Sequence, residues 1–312
     1  MKVVLACALV ASLAVAPTWP AKANGARAST PFSRGILFRL DKPGVAPSYV
    51  FGTVHSGDPR VTTLAPPVRD ALALARTFAL EIRLGEGDVA EFFEAAQFDD
   101  GRRLGDFFDP PTVAAIRFAL AGVVPDDATL TRLKPWAILL KLAEQPAAAS
   151  DSGETLDRAL LETAIQRKLG IIGLESPEEQ LATFDAIPLA TQVALVRMVL
   201  ADREAFTHNH EKIVAAWLDR DLARLASLNA EPGRLHPEFA APLAELTRRI
   251  VDDRTILMAH RLFVPLRGGR VFVAVGALHL YGERGLLALL RSQGYRVRRV
   301  YRGVLKAARA VE

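Results

Sequence analysis

The chain has 312 residues, with 39 basic and 35 acidic side chains, a net charge of +4 and one cysteine, Cys7. This length is enough to bury a sizeable core in one domain or two. The near balance of charge argues against a nucleic-acid partner, and a lone cysteine excludes an internal disulfide.

The N-terminus reads as a targeting segment. Lys2 precedes the apolar run Val3 to Ala16, and Ala21-Lys22-Ala23 fits a small-residue cleavage site. The run is short for a membrane span, which needs about 20 residues. Residues 1–23 are therefore expected to be a signal peptide cleaved near Ala23, giving a periplasmic or secreted protein that meets the membrane only during export. Cys7 leaves with it, so the mature chain has no thiolate ligand or cysteine nucleophile. Residues 24–34, rich in Ala, Ser and Pro, are expected to be a disordered lead.

A hairpin opens the folded part. Ile36 to Leu40 and Ser48 to Phe51 flank the turn Asp41-Lys42-Pro43-Gly44. A helix over roughly 66–76 follows, then the strand Thr77 to Ile82, apolar except for Glu81 at its end. From 86 to about 145 the pattern is helical, and Pro135 begins a helix that Pro146 stops. Ala147 to Gly153 reads as a linker of small residues. A helix over about 155–169 ends at Gly170, and the short strand Ile171 to Glu175 again closes on a carboxylate. Residues 177–266 are nearly all helical. The chain ends with strand 270–275, helix 281–292 and strand 295–301, read as a compact βαβ unit. In the last strand Arg296 and Arg298 alternate with Val297, the pattern of an edge strand with a charged outer face. The expected fold is α/β: a central, mostly parallel sheet built from both chain ends and flanked by helices. Residues 35–306 form a single domain with a helical insertion around 86–266.

Two strands end alike. Tyr49-Val50-Phe51 runs into Gly52-Thr53-Val54-His55, and Val271 to Val275 runs into Gly276-Ala277-Leu278-His279. In an open α/β sheet, ligands collect beyond the carboxyl ends of the strands. A third copy, Gly233-Arg234-Leu235-His236, follows no strand and lies between Pro232 and Pro237, read as a loop. His55, His279, Glu81 and Glu175 are thus four polar residues at expected strand ends. Two imidazoles and a carboxylate with open positions suit a divalent ion such as Zn, Mn, Co or Fe. The same residues also read as structural, with Glu81 and Glu175 paired to arginines at the sheet edge. Arg254 is placed to stabilise an oxyanion at the sheet's rim, or to pair with Asp252 or Asp253. His208 and His210 point about 200° apart on a helix and read as solvated. His260 reads as packing or surface.

In ordered combination these stretches resemble the TraB/GumN family, relatives of the Tiki metalloproteases and, more distantly, of the ChaN and erythromycin-esterase-like proteins. The matching residues are Phe51 to His55 with Asp58-Pro59-Arg60, Leu80-Glu81, Leu133 to Trp136, Gly173 to Glu175 with Glu179-Gln180, Arg254, Val275 to Gly282 with Gly285-Leu286, and Gly294 to Val297. Where the family usually carries Arg-Asn, this chain has Arg254-Thr255. The resemblance implies a site of His55, His279, Glu81 and Arg254, supported by Gly52, Gly276, Arg60 and Glu175. It implies an exported, metal-dependent hydrolase of peptide bonds, with His55, His279 and Glu81 on the ion and Glu81 and Arg254 in catalysis. The substrate is a peptide or small molecule. The alternative is a non-catalytic periplasmic protein of the same fold that binds a metal, haem or a peptide.

Overall fold

The hairpin forms where the turn chemistry places it. In the computed structural model of the chain, which describes residues 32–85, 87–143 and 155–300, strands β1 (Leu37–Lys42) and β2 (Val45–Thr53) pair antiparallel. Gly44 takes φ +73° between them, a backbone state that favours glycine. The expected signal peptide, most of the lead and the linker Ala147 to Gly153 lie outside the described residues.

Strands β3 (Thr77–Ile82), β4 (Gly170–Glu175), β5 (Val271–Gly276) and β6 (Arg296–Arg299) complete one sheet in the order β4-β3-β5-β2-β1-β6. β4, β3, β5 and β2 are mutually parallel, and β1 is antiparallel to β2 and β6. The fold is α/β, with a mixed but mostly parallel sheet flanked by helices. Val271 to Val275 of β5 are buried at every position, as a central parallel strand covered on both faces requires. Phe272 of β5 lies with its ring centroid 6.1 Å from those of both Phe51 on β2 and Phe78 on β3.

Helices α1 (Pro59–Thr62) and α2 (Pro66–Ala73) connect β2 to β3. Between β3 and β4 come α3 (Asp88–Ala95), α4 (Pro110–Ala119), α5 (Asp127–Arg132), α6 (Pro135–Ala143) and α7 (Leu156–Gln166). Between β4 and β5 come α8 (Pro177–Asp185), α9 (Leu189–Ala201), α10 (Arg203–Leu218), α11 (Leu222–Leu235), α12 (Ala240–Thr247), α13 (Arg254–Arg261) and α14 (Phe263–Gly268). α15 (Leu286–Ser292) follows β5. Among the described residues no single helix is long and apolar enough to cross a membrane.

The buried apolar residues form two clusters. One fills the sheet's faces, and the other lies among α4, α6, α9 and α12. In the second, the Lys134-Pro135-Trp136 stretch is structural. Trp136 stacks on Phe184 at 5.3 Å, its Nε1 donates to Asp185 at 2.7 Å, and Lys134 Nζ reaches the same carboxylate at 2.9 Å.

Three expectations change. The final strand–helix–strand segment is not a pair of neighbouring strands: β6 pairs with β1, so β2 and β1 lie between β5 and β6. Its helix starts at Leu286 rather than 281, because Ala277–Leu280 turns in a 3-10 helix. The stretch before His236 is not a loop, since α11 runs through Pro232 to Leu235. Proline removes the donor that the Leu228 carbonyl four residues back would receive, and Asn209 Nδ2 approaches that carbonyl at 3.5 Å. β4 comes from the middle of the chain and adds an edge strand beside β3.

Two close contacts fix the elements around the strand tips. A Cβ on Gly52 would lie 2.7 Å from Leu280 Cδ1 and 3.0 Å from Ala277 Cα. Only a glycine in β2 lets the turn after β5 sit this close. Gly52→Ala is expected to destabilise the protein by about 1–3 kcal/mol in chemical denaturation; a neutral effect would contradict this packing.

At the end of β4, Ser176 and Glu179 form a capping box on α8. Arg261 of α13 donates to Glu179 Oε2 at 2.6 Å and to the Leu174 carbonyl at 2.8 Å. Hydrogen bonding to Arg261 and to the Ser176 N–H holds the Glu179 carboxyl down at about 2. A depressed carboxylate stabilises the fold above its unfolded pKa, near 4.3, and that contribution fades as pH falls toward 2. Glu179→Gln should therefore lower the urea midpoint at neutral pH and have a much smaller effect near pH 2. Equal losses at both would refute the pairing.

Candidate active site

The parallel strands β4, β3, β5 and β2 all end on the same edge of the sheet, and the crevice there is where an α/β sheet presents a site. Register places the sequence-predicted residues along it. Thr53 pairs with Gly276, two residues before His55 and three before His279. Leu80 pairs with Ala274 of β5, and Ile82 with Glu175 of β4, which brackets Glu81 between them.

Arg254 joins two of these strand ends, those of β3 and β4. Its Nε donates to Glu175 Oε1 at 3.0 Å and Oε2 at 2.9 Å, and its Nη2 donates to Glu175 Oε2 at 2.6 Å and to Glu81 Oε2 at 2.8 Å. Nη1 donates to the Ile250 carbonyl at 3.2 Å. The backbone just before it, Arg248–Asp253, is a π-helical turn, a local widening often found at functional positions. The expected pairing of Arg254 with Asp252 or Asp253 gives way to this inward pairing; those two aspartates meet Arg284 and Arg248 instead.

The two carboxylates differ. Glu81 keeps 12% of its side chain exposed and Glu175 only 1%, so Glu81 borders the crevice and Glu175 the interior. Glu81 Oε1 accepts from the Gly276 N–H at 2.6 Å. Burial pushes the Glu81 carboxyl up, but Arg254, His279 and that N–H outweigh it and leave it below its ordinary range. For Glu175 burial prevails over the pull of Arg254, and its carboxyl rises. One guanidinium shared by a buried and a partly buried carboxylate leaves the cluster short of positive charge.

His279 faces that deficit. Its Nε2 lies 3.6 Å from Glu81 Oε1, and its Nδ1 lies 2.7 Å from Thr255 Oγ1. Thr255 donates its own hydroxyl to the Val251 carbonyl at 2.6 Å, so it accepts from Nδ1–H. This assigns the tautomer and leaves the Nε2 lone pair facing Glu81. Burial holds the ring's pKa down at about 4, so it is neutral at neutral pH. A Cβ on Gly276 would come within 3.2 Å of Glu81 Oε1 and 3.5 Å of His279 Cδ2, so the glycine keeps this approach open.

His55 is placed differently. Its Nδ1 lies 3.5 Å from Asp157 Oδ2 on α7, and its Nε2 is buried without a hydrogen-bond partner. His210 of α10 is half-buried and close enough for His55 to influence it; burial is the main cause that lowers its pKa. His210 is thus not solvated as its spacing suggested, while His208 and His260 are exposed. Arg60 sits on the surface, donating to Asp58, the N-cap of α1. His236 is half-exposed, 3.6 Å from Glu238.

Sequence reasoning missed three contributors. Thr255 was in view beside Arg254, but its bond to His279 was not. Asp157 reads as an ordinary first-turn aspartate, and His210 as a surface residue. Their roles arise from packing between distant segments.

The donor chemistry fits a divalent ion in kind. His55 presents a buried Nε2 with no partner, His279 presents a lone pair beside an ionised carboxylate, and the cluster lacks positive charge. Among the described residues, no three His, Cys, Asp or Glu side chains are gathered into a ready cage; His279 approaches Glu81, and His55 approaches Asp157. A model of the TraB/PrgY/gumN family matches residues 36–299. No curated protein matches the chain.

Removing Arg254 strands the buried Glu175 and the partly buried Glu81. Arg254→Met should cost about 3–5 kcal/mol at neutral pH, and the loss should shrink in acid as Glu81 and Glu175 take up protons. Urea unfolding across pH 4–7 checks this; a deficit that does not change with pH would count against the shared pairing.

Proposed function

This chain belongs to the TraB/PrgY/gumN family, and from that premise we propose that it is an exported, metal-dependent hydrolase that cleaves peptide bonds. The observation that carries the reading is that His279 Nε2, with its lone pair fixed by Thr255, faces the ionised Glu81 at 3.6 Å. His279, Glu81 and His55 would hold one divalent ion, of Zn, Mn, Co or Fe type. When bound, such an ion supplies Lewis-acid polarisation of a carbonyl and a lowered pKa for water.

The chain's own residues prepare this site in stages. Thr255 passes the orientation of the π-turn to the His279 ring, a second-layer contact that typically tunes a ligand's basicity. Glu81 already accepts hydrogen bonds on both oxygens, Oε1 from the Gly276 N–H and Oε2 from Arg254, which opposes the uptake of a proton. It is therefore assigned to holding the ion rather than to general-base work. Arg254 acts through Glu81 and Glu175: its Nε, Nη1 and Nη2 all donate inside the protein, which supports a positioning role over the oxyanion donation expected from sequence.

That inward commitment also favours a second reading, a regulatory protein that binds a metal, haem or a peptide without turning it over. The two separate experimentally. Purified mature protein should contain about one divalent ion by elemental analysis, lost in His279→Ala and His55→Ala. With a peptide library and added Mn²⁺, Co²⁺ or Zn²⁺, chelator-sensitive cleavage supports the hydrolase. Stoichiometric binding without cleavage supports the regulatory protein, and full metal content in the double histidine variant overturns the ligand assignment.

A further inference from the structure

The His55 side of the crevice contains two buried polar atoms that satisfy nothing. His55 Nε2 and Asp157 Oδ2 both lack a hydrogen-bond partner, yet that Oδ2 lies 3.5 Å from His55 Nδ1. A buried acceptor without a donor is costly and calls for an explanation.

An aspartate in the first turn of a helix ordinarily serves that helix, bonding its free N–H groups or meeting its dipole. Asp157 Oδ2 bonds none of the α7 N–H groups, and the N-cap residue Thr155 makes no side-chain cap bond either. The start of α7 is instead tied to the tip of β2. Leu156 N donates to the Ser56 carbonyl at 3.2 Å, one residue past His55. The helix start and the histidine are held together by backbone, and the carboxylate is directed at the ring.

We propose that Asp157 is the positioning residue for His55, the counterpart of Thr255 for His279. It accepts from His55 Nδ1–H and so presents the Nε2 lone pair toward the crevice. The separation needs to close by well under about 1 Å to reach a charge-assisted hydrogen bond, and such contacts are often long before a ligand is bound. The inference deepens the divalent-ion reading above and rests on it. It says why both Gly-x-x-His histidines leave Nε2 unbonded: each ring is anchored through Nδ1, one by a hydroxyl from α13 and one by a carboxylate from α7. It also gives α7 a part in the site that no spacing in the sequence suggests.

The test uses the whole protein, labelled with ¹⁵N-histidine. His55 is assigned by the signal missing in His55→Gln, and its tautomer is read in the metal-free protein by long-range ¹H–¹⁵N correlation. Wild type should show the Nδ1–H form. Asp157→Ala should shift His55 toward the Nε2–H form, and so should Asp157→Asn, because its amide N–H can donate to an unprotonated Nδ1. Zn²⁺ affinity, measured by competition with a chelating dye, should fall by about 10- to 100-fold in both Asp157→Ala and Asp157→Asn. Thermal unfolding of the variants should stay close to wild type. An unchanged tautomer in Asp157→Ala overturns the proposal, as does unchanged Zn²⁺ affinity where wild type binds the ion. If wild type binds no Zn²⁺ but the tautomer still follows Asp157, the positioning role stands and the metal reading falls.

Discussion

A guanidinium removed from water must have its donors met within the protein, and Arg254 meets them with Glu175, Glu81 and the Ile250 carbonyl. Desolvating three charged groups is expensive, and the attraction between them repays it only with good geometry. That geometry comes from several elements at once: β3 and β4 bring the carboxylates side by side, and the π-turn before α13 directs the arginine between them. The cluster still carries more negative than positive charge. His279 cannot supply the difference, because burial keeps it neutral near pH 7.

The close contacts at the tips of β2 and β5 follow from the same requirement. β5 is the central strand, so the turn after it must pack over β2 before it can return His279 to the crevice. Gly52 and Gly276 make room for that return, one against Ala277 and Leu280, the other against Glu81. The two glycines of the repeated motif therefore have different packing partners but one purpose, a tight approach of chain to chain. Behind them the aromatic row of Phe51, Phe272 and Phe78 stiffens the strands that carry the site.

The helical part of the chain has its own core and touches this machinery mainly through α7, α10 and α13. The Lys134-Pro135-Trp136 stretch belongs to that second core, where it ties α6 to Asp185 at the end of α8. A motif that recurs in a resemblance can thus hold a scaffold together without approaching the chemistry. Function cannot be assigned to such residues from pattern alone.

Much of the fold was legible because its signals are local. Gly170, expected to cap the helix before it, is instead the first residue of β4, and α7 ends at Gln166; the apolar runs of strand length and Pro43-Gly44 in the hairpin turn act through neighbouring residues and the backbone's own preferences. The sheet's α/β character, most element positions and the placement of His55, Glu81, Glu175 and His279 at strand ends all follow from such signals. Strand order was not legible, because pairing β6 with β1 rather than beside β5 depends on contacts across the whole chain. Nor was the reach of Arg254, since a π-turn widens the helix by one residue without a distinctive sequence cue. The sequence by itself determined which polar residues arrive at the sheet's edge. Only the tertiary structure decided which of them touch, because hydrogen-bond partners, the His279 tautomer and the shared charge on Arg254 are set by side chains brought together from distant segments.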